Sequence, residues 1–191
     1  MTPSPPVVSV IGRKNSGKTE LTVALAAELN RRGRRVMTVK RGHGFDVDRP
    51  GKDSWRHRHE GGVKRTVLAG PEEFAVIGTW PRREGGRGEP SLEEIVGRYL
   101  HDADLVLAEG FKSSEAPRVE AHRLCVDPDP LLAARGEDAR AWMALVTDGP
   151  DPGLSVPVFA WDDPDFAAKV VSLLEERLLG PEGPLEGGAG R

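Results

Sequence analysis

The segment Gly12-Arg13-Lys14-Asn15-Ser16-Gly17-Lys18-Thr19 constrains this chain more than any other. It satisfies the phosphate-loop pattern G-x-x-x-x-G-K-[ST] at every fixed position. An apolar, β-branched run, Val7 to Ile11, leads into it, and an amphipathic run, Leu21 to Leu29, leads out. A strand, a loop and a helix in that order aim backbone N–H groups and a helix N-terminus at one point, which suits a chain of phosphates. Gly12 and Gly17 permit the tight wrap, and Arg13, Lys14, Asn15 and Ser16 form the cradle between them. Lys18 is placed to reach the β- and γ-phosphates, and the Thr19 hydroxyl to ligate Mg²⁺. Glu20 follows in the first helical turn, beside the phosphates. The expected ligand is a nucleoside triphosphate with Mg²⁺.

The rest of the chain alternates strands and helices. A helix from about Gly17 to Arg32 ends at Gly33, and a second strand spans Arg35 to Lys40. A polar loop, 41–53, precedes a short helix that opens at Asp53 or its neighbour and stops at Gly61-Gly62. Lys64 to Ala69 and Glu73 to Thr79 flank Gly70-Pro71 and read as an antiparallel hairpin. Ser91-Leu92-Glu93-Glu94 opens a helix to about His101, Asp104 to Glu109 is an apolar strand ending in an acid, and Arg118 to Val126 is another strand. Ala141 to Thr147 and Val156 to Ala160 are strands, and a last helix covers Asp165 to Leu179. This order implies an α/β P-loop NTPase fold: a mainly parallel sheet with helices on both faces and an antiparallel hairpin appendage at about 64–79. Residues 7–180 form that nucleotide-binding domain, between a flexible N-terminus at 1–6 and a Gly/Pro-rich, disordered tail at 181–191.

A phosphate loop needs a partner acid for Mg²⁺, and that acid normally ends an apolar strand beside the first. Glu109 fits, so Thr19 and Glu109 are the expected metal side. Lys18 and Asp53 are the candidate catalytic residues; Asp53 either orients water near the γ-phosphate or caps its helix, and the sequence leaves both open. His57 and His59 lie two apart, on different faces of a helix, and with His43 they read as solvated or phosphate-facing rather than metal-binding. Arg82, Arg83 and Arg87 read as part of a charged loop, with a phosphate-grasping lid as the alternative. Thr147-Asp148, after an apolar strand, is placed to meet a base.

The net charge of −3 offers no global basic field for nucleic acid or an anionic membrane. No apolar run is long enough to span a bilayer, and the first residues lack the pattern of a signal peptide. Cys125 is the only cysteine, which suits a reducing cytoplasm; it reads as a small filler in a strand.

These segments together resemble the molybdopterin-guanine dinucleotide biosynthesis adaptor protein B (MobB) family. The resemblance rests on Asn15-Ser16-Gly17-Lys18-Thr19, on Phe45 to His57 with its core Asp48-Arg49-Pro50-Gly51-Lys52-Asp53-Ser54, on Leu105 to Lys112 with Glu109-Gly110-Phe111-Lys112, and on Pro117-Arg118-Val119-Glu120. It implies a GTP-binding protein with weak intrinsic hydrolysis that assists MobA, the guanylyltransferase that joins GMP to molybdopterin. It also implies a homodimer, for which the 64–79 hairpin offers a sheet edge, and leaves open direct contact with molybdopterin. Glu20 stands where the family usually has Thr, and the segment around His43 is poorer in histidine. The Asn-Lys-x-Asp guanine signature is absent, so guanine preference rests on the resemblance alone. The alternative function from the same loop is a small-molecule kinase with Asp53 as base.

Overall fold

The computed structural model describes residues 4–42, 47–81, 90–135 and 141–180. Arg82, Arg83, Arg87, His43, Phe45, Asp46 and the 181–191 tail lie outside them. The chain divides into two compact units, Met1–Arg41 with Leu92–Arg191, and Gly42–Ser91.

The first unit contains β1 (Val7–Ile11), α1 (Lys18–Arg31), β2 (Val36–Lys40), α3 (Leu92–Tyr99), β5 (Leu105–Glu109), β6 (Arg118–Ala121), α4 (Leu131–Arg135), β7 (Trp142–Thr147), β8 (Val158–Ala160) and α5 (Phe166–Leu174), which runs on as a π-helical turn, Glu175–Leu179. The second contains α2 (Asp53–His59), β3 (Arg65–Ala69) and β4 (Phe74–Gly78).

The six strands of the first unit form a parallel sheet in the order β2-β5-β1-β6-β7-β8. Parallel strands covered on both faces need continuous apolar runs, and β5 and β7 supply them: every residue of both is buried. Alternation then sorts the side chains by face. Val8, Val10, Leu105 and Leu107 pack under Leu21, Leu25 and Leu29 of α1 and Val170, Val171 and Leu174 of α5. Val106 and Ala108 face the other way, onto Leu92 and Val96 of α3. Leu21, Leu25 and Leu29 are spaced four apart, so one stripe of α1 enters the core. At the end of that stripe Arg32 donates to Glu175 at 2.7 Å and Arg34 does so at 2.8 Å, fastening α1 to the turn after α5.

The parallel sheet, helices on both faces and the separate antiparallel pair are as the sequence implies. Four local expectations are corrected. Pro5 is buried and the Pro6 carbonyl accepts from Val106 N at 2.9 Å, so the segment expected to be flexible is already anchored there. β6 stops at Ala121 instead of Val126, because 123–126 close a turn (Val126 N to Arg123 O, 3.0 Å). Cys125 is therefore exposed in that turn, not packed in a strand. Asp53 is the first residue of α2 and not its cap, which is Lys52 without a side-chain bond. α4 was not expected, whereas the last helix reaches Leu179 as expected, with its final turn π-helical. α4 starts where the buried Glu120 carboxylate accepts from Leu131 N at 2.6 Å and Leu132 N at 3.0 Å. Burial pushes that carboxyl's pKa up against those two bonds.

In the second unit Asp48 accepts from Ser54 Oγ and from Arg58, both at 2.8 Å, which pins the entry to α2. This gives the Asp48 to Ser54 segment a structural role. The β3/β4 hairpin pairs Val67 with Val76 and turns through Gly70 N to Glu73 O. It exposes Val67, Leu68, Phe74 and Val76.

Leu25→Ala removes a fully buried side chain where α1 meets the sheet. It should cost about 2–5 kcal/mol, read as a lower urea midpoint with an unchanged slope.

Candidate phosphate-binding site

The loop between β1 and α1 is curled by three left-handed residues: Gly12 (φ 152°), Asn15 (φ 64°) and Gly17 (φ 92°). A Cβ at Gly12 would stand 2.4 Å from both the Ala121 carbonyl oxygen and Ser16 Oγ, so only glycine fits. Gly17 caps α1 without a side chain, leaving the first N–H groups of the helix uncapped by any side-chain oxygen. The Ser16 hydroxyl is buried and has no hydrogen-bond partner among the described residues. Lys18 Nζ bends back to donate to Arg13 O at 2.6 Å. This concave array of donors is what phosphate oxygens require.

Thr19 Oγ1 lies 3.1 Å from each carboxylate oxygen of Glu109 and donates there. Both residues were expected to meet, and the sheet explains why: β5 lies beside β1 and ends at Glu109 level with Val10. Glu109 is only 8% exposed. Lys40, which the sequence reading passed over, completes the cluster. Its Nζ is 3.1 Å from Glu109 Oε1 and 3.3 Å from Thr19 Oγ1. Lys40 and Glu109 are register partners at the ends of β2 and β5, so the backbone itself puts them together. Two apolar strands each ending in a charge were the available signal.

Lys18 titrates below its ordinary value, first because of burial and then because of Lys112; Glu109 opposes this and Lys40 adds to it. Lys40 and Lys112 thus lie close enough to Lys18 to oppose its charge, with the Glu109 carboxylate beside them as the counter-charge. Such an excess of ammonium groups favours a polyanion. The Thr19 hydroxyl and the Glu109 carboxylate are hard oxygen donors of the kind Mg²⁺ takes, directly or through its waters, so they fit that ion.

The other expected site residues are placed as follows. Arg13 pairs with Asp127 at 2.7 Å, and Glu20 with Arg123 at 3.0 Å, so Glu20 is directed at a guanidinium. Lys14 is exposed on the loop. Asp53 is described within the second unit, exposed in the first turn of α2. Thr147 is buried against His122, and Asp148 accepts from Leu124 N at 2.7 Å. His59 stacks on Trp55 at 4.4 Å, and no group of three His, Cys, Asp or Glu residues fit to hold a metal occurs among the described residues.

A family model described as molybdopterin guanine dinucleotide synthesis protein B (MobB) matches residues 7–148. The chain belongs to the MobB family. The molybdopterin-guanine dinucleotide biosynthesis adapter protein of Haemophilus influenzae is 36% identical over 62% of this chain and 64% of its own length. That of Escherichia coli is 32% identical over 62% of this chain and 66% of its own length. Both alignments span just under two thirds of those relatives. A crystal structure of molybdopterin-guanine biosynthesis protein B superposes with a TM-score of 0.65 at 28% identity, covering 91% of this chain and 99% of that one. The Bacillus subtilis MobB crystal structure gives a TM-score of 0.65 at 23% identity over 88% and 97%, a likeness of fold. The MobB match includes the phosphate loop, Lys40 and Glu109, and ends at Asp148.

In this MobB-family site Lys40 Nζ bonds the two oxygens, Glu109 Oε1 and Thr19 Oγ1, that a divalent cation bound here would take. Lys40→Met should therefore tighten Mn²⁺ binding to the nucleotide-free protein. An exposed pair worth up to about 1 kcal/mol corresponds to about five-fold, measurable by paramagnetic titration.

Proposed function

We propose that the chain is a GTP-binding adaptor in molybdenum cofactor biosynthesis, assisting MobA in converting molybdopterin to molybdopterin guanine dinucleotide. The relatives' names supply the pathway and the adaptor role. The observation that supports nucleotide binding is the Thr19 hydroxyl set on both oxygens of Glu109 at the mouth of the phosphate loop. In this reading the loop N–H groups and Lys18 hold the phosphates, and Thr19 and Glu109 hold Mg²⁺. Bound there, Mg²⁺ would neutralise charge on the terminal phosphates.

Hydrolysis by the chain alone is slow in this reading. Arg13 is committed to Asp127, and Arg123 to Glu20. An absent arginine finger is worth about 10³–10⁵ in rate. Lys18→Ala should weaken GTP binding about 10- to 150-fold, the loss of about 1.5–3 kcal/mol for a charge-assisted contact. Isothermal titration with GTP and ATP, with and without Mg²⁺, measures it. Unchanged binding, or equal binding of ATP, would sink the GTP reading. Lys18→Ala should also fail to stimulate guanine dinucleotide cofactor formation by MobA at limiting GTP.

The chain acts as a homodimer joined through the hairpin. A lone two-stranded sheet with Val67, Leu68, Phe74 and Val76 exposed is marginal and offers two free edges, which a second copy can cover symmetrically. Light scattering at tens of micromolar should give a dimer for the parent and a monomer for Phe74→Glu with Val76→Glu. A monomeric parent refutes it. No helix among the described residues is long and apolar enough to cross a membrane, and the exposed thiol of Cys125 suits the reducing cytoplasm.

A further inference from the structure

The loop has two flanks at the carboxyl edge of the sheet, where ligands of parallel α/β sheets collect. On the β5/β2 flank stand Glu109 and Lys40. On the other, β6, β7 and β8 end side by side. Just past those ends lie Arg123, Asp148 and Trp161. None is explained by phosphate or metal binding. The Arg123 guanidinium lies over the Trp161 ring, 4.1 Å from its centroid, and stands 3.7 Å from Asp148 Oδ2. The indole reaches the loop: its edge is 3.2 Å from where a Cβ on Gly17 would be.

This group is fixed from behind. Trp161 Nε1 donates to His122 O at 2.9 Å. The buried His122 ring joins Thr147 Oγ1 at 2.7 Å through Nδ1 and the Asp127 carbonyl at 2.9 Å through Nε2. The Asp127 carbonyl can only accept, so Nε2 carries a proton; in the neutral ring Nδ1 then accepts from the Thr147 hydroxyl, whose oxygen also accepts from Gly149 N.

Resting on the nucleotide reading above, we propose that Arg123, Trp161 and Asp148 form the seat for the base and make it selective for guanine. The guanidinium and indole planes offer a stacking surface. Asp148 chooses the base. An ionised carboxylate only accepts hydrogen bonds, and guanine presents two donors, N1–H and the 2-amino group, on one edge. Adenine presents a lone pair at N1, which a carboxylate repels. Leu124 N uses part of Asp148 Oδ1, which fixes the side chain while leaving further lone pairs.

The test exchanges the acceptor. Xanthine replaces the 2-amino donor with a carbonyl, which an amide N–H can meet. With the full chain and Mg²⁺, Asp148→Asn should weaken GTP and strengthen XTP, shifting their affinity ratio at least 30-fold, while inorganic tripolyphosphate binds as to the parent. A GTP-to-XTP ratio that does not move, with tripolyphosphate binding intact, overturns the base seat and leaves the nucleotide reading standing. A parent that binds neither GTP nor tripolyphosphate overturns both. Because Asp148 also holds Leu124, Arg123→Leu serves as a second variant. It should weaken GTP and XTP alike, about three- to ten-fold, and spare tripolyphosphate; equal GTP affinity in Arg123→Leu and the parent counts against the seat. GTP should also quench tryptophan fluorescence where tripolyphosphate does not. Trp161→Phe should abolish the difference, and its persistence would count against stacking at this ring.

Discussion

Gly12 lies so close to the end of β6 that a methyl group there would stand 2.4 Å from the Ala121 carbonyl oxygen. The phosphate loop is thus pressed against the neighbouring strand, and the rest of the first unit is arranged around that approach. It requires β6 to lie directly beside β1, and the pairing of Val10 with Val119 supplies this. It also requires β1 to be held from its other side, by β5, whose residues are all buried. The parallel order then brings Lys40, Glu109 and Asp148 to one edge of the sheet. Within the loop, Gly12, Asn15 and Gly17 take positive φ to make the approach.

The residues on the β5 flank form a problem in charge. Lys40 and Lys112 both act against the charge of Lys18, with Glu109 as the nearby carboxylate. Like charges at such range cost energy that a polyanion recovers, because each added phosphate oxygen replaces repulsion with attraction. Lys40 also keeps Glu109 and Thr19 together when no divalent ion is bound. The pair proposed to take Mg²⁺ is therefore already assembled, and on that proposal assembly adds no ordering cost at the moment of binding. On the same proposal an entering ion would have to displace the tethered Lys40 ammonium.

How much of this was legible depends on whether a signal is local. The phosphate loop and Glu109 were legible because each is one segment: a glycine-lysine pattern, and an apolar run ending in an acid. Their meeting followed from the rule that parallel strands end at a common edge. Lys40 ended a strand in the same way, but its strand is half-exposed and reads less clearly than β5. Arg123 and Trp161 were not legible at all. They lie on separate connections after β6 and β8, and nothing in either segment names the other. Expecting β6 to continue to Val126 hid Arg123 and Cys125 inside a strand, whereas the chain there closes a turn with Val126 N on Arg123 O. α4 was missed because its start is fixed by Glu120, a buried acid on a neighbouring strand. Asp48 lay in a recognised motif, yet its grip on Ser54 and Arg58 is a fact of three-dimensional packing.

His122 links the phosphate loop to Trp161. Its Nε2 holds the carbonyl of Asp127, and the carboxylate of the same Asp127 holds Arg13 on the phosphate loop at 2.7 Å. Its own carbonyl holds Trp161. A ligand that moves Arg13 toward phosphate must therefore loosen Asp127, which shares a residue with the support of the indole. Conversely, a base pressing on Trp161 bears on His122 and through it on the loop. Because His122 is 5% exposed and fully bonded, it has little room to absorb either movement. On the proposed nucleotide reading, triphosphate and base would sense one another through Arg13, Asp127 and His122. Binding of the whole nucleotide should then differ from the sum of its parts, and a double-mutant cycle between Arg13 and Trp161 is the direct measure of that coupling.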